Sequence, residues 1–310
     1  VNVIESSGLG KRYGRAWALR DCTLAIPAGH VVALVGPNGA GKTTLLSMAV
    51  GLATPTAGVI TVLGGDPAGS PGALDRIAFV AQDAPLYGNL PAADMLHLAR
   101  NLNQRWDQQY ARARLADLGI PLKQKVGKLS GGQQAQLALT IALARRPDLL
   151  VLDEPLAMLD PVARHDFMAT VMTAVAEDGI SVVLSSHMLA ELERVADYLI
   201  VLSRGQVQVA GEVEDLLAGH RMLTGPAAEA ARNAERMRVV HARSAAAQAH
   251  LLVRINGAAE PVPPGWQSHP VGLEELVMAY LREPGAAALP GPSRAHDEHA
   301  TSDHPAQVTA

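Results

Sequence analysis

The sequence predicts an α/β fold centred on a parallel sheet. Apolar runs that read as buried strands recur at "HVVALVG", "DLLVLDEP", "ISVVLSSH" and "YLIVLSRG". The last three alternate with helical stretches, the pattern of a parallel sheet covered on both faces. "HVVALVG" runs directly into a glycine-rich loop and then a helical pattern from Lys42 to about Gly51.

In chain order, residues 1–35 show short β-type runs separated by turn signals, and "VITVLG" and "RIAFVAQ" read as further strands. Residues 85–146 change texture: "LPAADMLHLARNLNQRWDQQYARARLADLGI" has helical spacing with polar faces and no strand candidate, which predicts a helical insert. The first domain is expected to span residues 1–219. After Gly219, Ala-rich helix-like sequence, then "HLLVRING" as a strand and "GLEELVMAYLRE" as a helix, predict a small α+β appendage over 220–282. Residues 283–310 lack apolar periodicity, and their Pro, Gly, Ala and charge content predicts a disordered tail in which His296, His299 and His304 are solvated rather than metal-binding.

The 310 residues suffice for about two domains, and a hydrophobic content of 48% supplies a sizeable core. A net charge of −4 and a pI near 6.3 argue against nucleic acid as a partner. Cys22 is the single cysteine, so no intrachain disulfide or cysteine-rich zinc site can form. Five lysines against 21 arginines, with Val1 first, suggest an alternative start codon in a GC-rich bacterial genome. "VNVIESSGLGKRYGR" lacks the basic-then-apolar order of a secretory signal. The uncharged stretch Thr43–Gly65 is broken by Gly51, Pro55 and Gly58, which disfavours a spanning helix, so membrane work would need another chain.

Chemistry concentrates in two places. "GPNGAGKTT" places Gly36, Pro37, Asn38, Gly39, Ala40, Gly41, Lys42, Thr43 and Thr44 between strand and helix, where a phosphate loop belongs. Glycines let backbone N–H groups turn toward phosphates, the helix N-terminus adds partial positive charge, Lys42 reaches β/γ oxygens and the Thr43 hydroxyl can ligate Mg²⁺. "DLLVLDEP" then delivers Asp153 and Glu154 from a strand end in different directions. Asp153 is suited to Mg²⁺, and Glu154 to polarising an attacking water.

These motifs, with "KRYG", "VAQD", "LSGGQ", "LDP" and "SSH" in the same order, resemble the nucleotide-binding subunit of ATP-binding cassette transporters across residues 1 to about 220. The resemblance implies a P-loop NTPase core with an antiparallel β subdomain and a helical signature subdomain, acting as an ATPase with ATP and Mg²⁺. It implies that Tyr13 stacks on adenine, with Trp17 the weaker candidate, and that Gln82 senses Mg²⁺ and the γ-phosphate near the permease contact. His187 matches the switch histidine at the γ-phosphate. Ser130, Gly131, Gly132 and Gln133 match the signature, which acts in trans: each subunit of a head-to-tail pair caps the other's ATP, and Asp160 matches the residue for communication between subunits. Expected partners are a second copy or a related ATPase subunit and a separate transmembrane permease, at the cytoplasmic face of the membrane.

The chain departs from the family pattern at Leu156, Ala157 and Met158, where Thr, Ser and Gly are common, and at Gln136, where an arginine is usual; there a charged contact near the site is expected to be lost. "GKRYGRAWALRDCTLAIPAGH" and the "LEELVMAYL" helix are similar to the multidrug and antibiotic export branch. The alternative is a soluble relative acting on DNA or ribosomes, whose inserted coiled coils, zinc cysteines or second cassette this chain lacks. A GTPase or small-molecule kinase would leave "LSGGQ" unexplained.

Overall fold

The chain opens with two twelve-residue antiparallel strands, β1 (Asn2–Tyr13) and β2 (Ala16–Pro27), in the computed structural model, which describes residues 1–82, 85–255 and 262–283. They are longer than the short runs expected. Register shifts after Asn2, Ser6, Leu9 and Lys11 break the in–out alternation that would mark a long strand in sequence. After β3 (Val31–Val35) and α1 (Lys42–Ala49), β4 (Ala57–Val62) returns to pair with β1, completing the antiparallel sheet β2–β1–β4. Helix α2 (Pro71–Leu74) leads into β5 (Ile77–Val80).

The expected insert is helical: α3 (Ala92–Leu102), α4 (Gln108–Asp117) and α5 (Gly131–Ala144) surround a small core that includes Leu96, Leu115, Val126 and Leu137. The opposite side of α5 reaches the main core through Ala135, Leu139 and Leu143, so one helix belongs to both units. Arg146, just past α5, ties the same junction together. Its guanidinium meets Asp107 at 2.8 Å and Asp178 at 3.0 Å and lies 4.8 Å from the Tyr110 ring. The Tyr110 backbone N–H and the Arg146 guanidinium hold the Asp107 carboxyl below its ordinary range.

The chain then alternates β6 (Leu149–Asp153), α6 (Pro161–Asp178), β7 (Ser181–Ser186), α7 (Leu189–Leu192) and β8 (Tyr198–Ser203), before β9 (Gln206–Glu212) turns back. The six-stranded sheet has the order β5–β6–β7–β3–β8–β9, parallel except for β9. Strands β3, β6, β7 and β8 are buried at every residue because helices or the antiparallel sheet cover both faces, which is why they read as continuous apolar runs. Cys22 is fully buried on β2. Its thiol lies 3.1 Å from the Gly205 carbonyl oxygen, and burial raises its pKa.

Helix α8 (Val213–Ala218) leads to β10 (His220–Pro226), α9 (Ala230–Ala234), β11 (Arg238–Ala245), β12 (Gln248–Arg254), β13 (Gln267–His269) and α10 (Leu273–Arg282). The Ala-rich stretch is helical as expected over Ala227–Glu229 and α9, while the segments on either side of it are β10 and β11, which both pair with β12 in the sheet β11–β12–β10–β13. At Ala242 and Ala245 of β11 cross-strand pairing outweighs helix propensity. The strand and helix expected near the end are β12 and α10. Leu276, Val277 and Tyr280 of α10 join the same apolar cluster as Leu199 and Val201 of β8. The predicted disordered tail lies outside the described residues from 284 onward. Among the described residues, no helix is long and apolar enough to cross a membrane.

His220 is wholly buried where β10 meets α10. Its Nδ1 donates to the Leu216 carbonyl at 2.6 Å, and its Nε2 lies 3.0 Å from the Tyr280 hydroxyl. Burial holds its pKa below the ordinary 6.5, outweighing the carbonyl bond, and pushes Tyr280 up to about 12. The unfolded chain therefore takes up this proton first. The contribution is complete above about pH 6.5 and declines as the pH falls below it. The melting temperature should fall between pH 7.5 and 5.5 by about 2 °C more in the parent than in H220Q, as read by circular dichroism.

Candidate nucleotide site

The C-terminal ends of β5, β6, β7 and β3 lie along one edge of the sheet, because Val80 is level with Leu152, Asp153 with Ser185, and Val35 with Ser186. In open α/β sheets this edge is where ligands bind. From it emerge Gly36, Gln82, Glu154 and His187.

The loop from Gly36 to Gly41 requires glycine at two positions for different reasons. A Cβ at Gly36 would stand 2.1 Å from the Leu202 carbonyl oxygen. Gly41 caps α1 at φ +106°, and a Cβ there would meet the Ala18 carbonyl oxygen at 2.6 Å. The backbone thus packs where side chains cannot, and α1 starts with N–H groups that have no acceptor within the helix. Pro37, Asn38, Gly39 and Thr43 are exposed, Thr44 is half-buried, and Ala40 is buried.

Lys42 is only 6% exposed, and its ammonium turns back into the loop, donating to the Gly36 carbonyl at 2.8 Å. At 3.3 Å it also meets Oε1 of Glu154. The other carboxylate oxygen of Glu154 lies 2.7 Å from Nδ1 of His187, whose side chain is 54% exposed. Glu154 adopts φ +47°, a left-handed conformation that costs a non-glycine residue about 1–3 kcal/mol. Ser185 holds it there. The Ser185 hydroxyl accepts the Glu154 backbone N–H at 2.8 Å and donates to Oδ1 of Asp153 at 2.6 Å. One buried hydroxyl therefore fixes the Asp153 carboxylate and the Glu154 backbone, a role the sequence reading did not assign. The signal was present in "SSH", where hydroxyls interrupt an otherwise apolar strand.

Gly36, Lys42, Asp153, Glu154 and His187 thus form one connected group with Ser185, and among the described residues no hydrogen bond or ion pair joins Gln82, Tyr13, the signature residues or Asp160 to it. Gln82 is exposed, two residues past β5. Tyr13 is 54% exposed at the β1–β2 turn with Lys11 Nζ 5.3 Å from its ring centre, and Arg12 lies 5.6 Å from the ring of the exposed Trp17. Ser130 caps α5: its hydroxyl accepts the Gln133 N–H at 3.2 Å while the Gln133 side chain accepts the Ser130 N–H at 3.1 Å. Gly132 sits against α6, where a Cβ would come within 3.0 Å of that of Ala163. Asp160 caps α6, accepting the Val162 and Ala163 N–H groups at 3.0 Å each. Leu156 is buried in the core, whereas Met158 is 82% exposed.

Gln136 departs from the expected loss of a charged contact. It lies buried among α4, α5 and α6 and accepts from Arg114 at 3.2 Å, while the same guanidinium nitrogen donates to Thr170 on α6. A cation is still supplied at this junction, from α4 instead of α5.

The donor set suits a nucleoside triphosphate with a divalent cation. Two glycines let the loop pack closely on the Leu202 and Ala18 backbone ahead of the helix N-terminus, and an exposed Thr43 and the Asp153 carboxylate suit Mg²⁺, which typically takes one or two protein ligands with phosphate and water completing the shell. Among the described residues no cluster of three or more His, Cys, Asp or Glu gathers.

The family profile described as "ABC transporter" matches residues 19–157. Thiamine import ATP-binding protein ThiQ of Shigella flexneri serotype 5b is 32% identical over 202 residues, covering 64% of this chain and 87% of that protein. The "probable multidrug ABC transporter ATP-binding protein YbhF" of Escherichia coli is 36% identical over 234 residues, 71% of this chain and 40% of that protein. Among solved structures, the dimeric ATP-binding cassette MJ0796 bound to ADP and Pi superposes with a TM-score of 0.60 at 26% identity, over 68% of this chain and 98% of that one. With a phosphate loop, an Asp–Glu pair and a strand-end histidine on one sheet edge, these likenesses place the chain in the ABC transporter family, as an ATP-hydrolysing, ATP-binding subunit of a transporter.

Proposed function

We propose that this ATPase powers export of a small molecule or drug through a separate permease chain, with Glu154 as the group that polarises the attacking water. The observation that carries the catalytic assignment is the Lys42–Glu154–His187 group. Glu154 is 9% exposed and set at the sheet edge by Ser185. Phosphate oxygens compete with Glu154 for Lys42, and once Lys42 turns to them the carboxylate is freed to accept a proton from water. General-base help of this kind contributes about 10²–10⁴-fold. His187 donates toward the γ-phosphate, and its present bond to Glu154 keeps its ring at the mouth of the site. Thr43 and Asp153, with Gln82, hold Mg²⁺, which neutralises charge developing on the phosphates when bound. Tyr13 stacks on adenine beside Lys11.

Ser130, Gly131, Gly132 and Gln133 act on the ATP of a second subunit. The first turn of α5 directs free N–H groups outward, and its dipole favours an anion there. Asp160, at the start of the helix that Gly132 touches, carries the state of one site to the other. A twofold head-to-tail pair completes two sites, and the dimeric solved relative supports this arrangement. The export reading rests on the similarity of "GKRYGRAWALRDCTLAIPAGH" and the "LEELVMAYL" helix to the export branch; proteins named for multidrug transport and for thiamine and Fe(3+) import all align with the chain, at 36%, 32% and 36% identity. The subunit then sits peripherally at the cytoplasmic face, beside its permease.

Inside-out vesicles carrying this chain and its permease should accumulate substrate on addition of ATP, and E154Q should abolish that while still binding ATP. Accumulation in right-side-out vesicles instead would reverse the direction. Normal turnover by E154Q would remove Glu154 as the base. S185A should lower kcat by about 10–100-fold with little change in ATP affinity, since it releases the Asp153 carboxylate and the Glu154 backbone and costs about 1–3 kcal/mol of stability. Wild-type kcat in S185A would show that the hydroxyl only supports the fold. Mixing K42A with S130R subunits should restore activity through one intact composite site in each heterodimer. Heterodimers that form and remain inactive would refute the trans assignment.

A further inference from the structure

The appendage contains an open cavity of about 510 Å³ between Glu229–Met237, which includes α9, and Pro263 and Pro264, a volume in the range of small-molecule sites. Its wall carries two guanidinium groups, Arg232 and Arg236, one helical turn apart and both exposed. Neither has a carboxylate within ion-pair distance among the described residues. Between them Asn233 is 7% exposed, and its Nδ2 is buried with no hydrogen-bond partner among the described residues. A buried amide donor is stable only when something supplies an acceptor. Met237, Pro263 and Pro264 form an apolar part of the wall. Glu229 also lines the cavity, but its Oε2 is engaged by the Trp266 indole N–H at 3.2 Å, and among the described lining residues two arginines face one carboxylate.

We propose that this cavity binds a small amphipathic carboxylate, its head held by Arg232, Arg236 and the Asn233 amide and its hydrocarbon part lying on Met237 and Pro263. A guanidinium presents paired N–H groups that match a carboxylate, and a turn of the Asn233 side chain toward the cavity supplies a further donor. The site is separate from the nucleotide edge of the sheet. The appendage nonetheless shares the main apolar cluster through Val240 of β11 and Leu252 of β12, so occupancy of the cavity bears on an element packed against the ATPase core.

Titration calorimetry on the full chain, with octanoate as probe and octan-1-ol as its uncharged counterpart, tests the assignment. Octanoate should bind at least tenfold more tightly than octan-1-ol. The R232A/R236A variant should lose at least tenfold in octanoate affinity while keeping the parent's circular dichroism melt and ATPase rate. N233L, which removes only the amide, should weaken octanoate binding by about threefold or more. No octanoate binding, equal binding of the two probes, or undiminished binding by R232A/R236A would overturn the site.

Discussion

Glu154 engages an ammonium with one oxygen and an imidazole with the other, and the architecture around it is arranged to make that double contact possible. Strand β6 must end beside β7 for Ser185 to reach both the Glu154 N–H and Asp153, and β7 must lie beside β3 for His187 to stand over the phosphate loop. The order β6–β7–β3 meets both conditions. Parallel strands bring all three C-terminal ends to the same edge, and the parallel arrangement requires covered faces and crossover helices. The left-handed backbone at Glu154 is the local cost of the geometry, and the surrounding strands are buried enough to hold it.

The second constraint is the junction at which the helical unit meets the sheet. Helix α5 begins with the exposed "SGG" turn and ends in the core, so its position is set at both ends by different neighbours. Arg114 reaches across to Thr170, and Arg146 joins the start of α4 to the end of α6. These polar ties sit beside apolar contacts that alone would specify the orientation of α5 weakly. Together they relate the first turn of α5 to the first turn of α6, where Asp160 lies.

Much of this was legible in the sequence because buried parallel strands and phosphate loops leave strong local marks. The strand runs, the glycine spacing, the Asp–Glu pair and the helical insert correspond to β3, β6, β7, β8, the loop at Gly36–Gly41 and α3 to α5. What escaped depended on partners distant along the chain. β1 and β2 looked short because bulges interrupt their alternation, and the segments flanking the short Ala-rich helix are strands because β12 pairs with both of them. Ser185 carries no motif of its own; only the register between β6 and β7 brings its hydroxyl to the Asp153 carboxylate and the Glu154 N–H. Gln136 likewise looked like a lost charge until α4 placed Arg114 against it.

Cys22 has a practical consequence for following this protein in motion. The thiolate is the reactive form of cysteine, and here the sulfur is fully buried, its pKa raised, and near a backbone carbonyl oxygen. Because it is the sole cysteine, the unaltered chain is already a near-silent background for thiol chemistry. A spin label or fluorophore attached to a cysteine introduced on an exposed helix would report from that position alone, without first disturbing the β2 core.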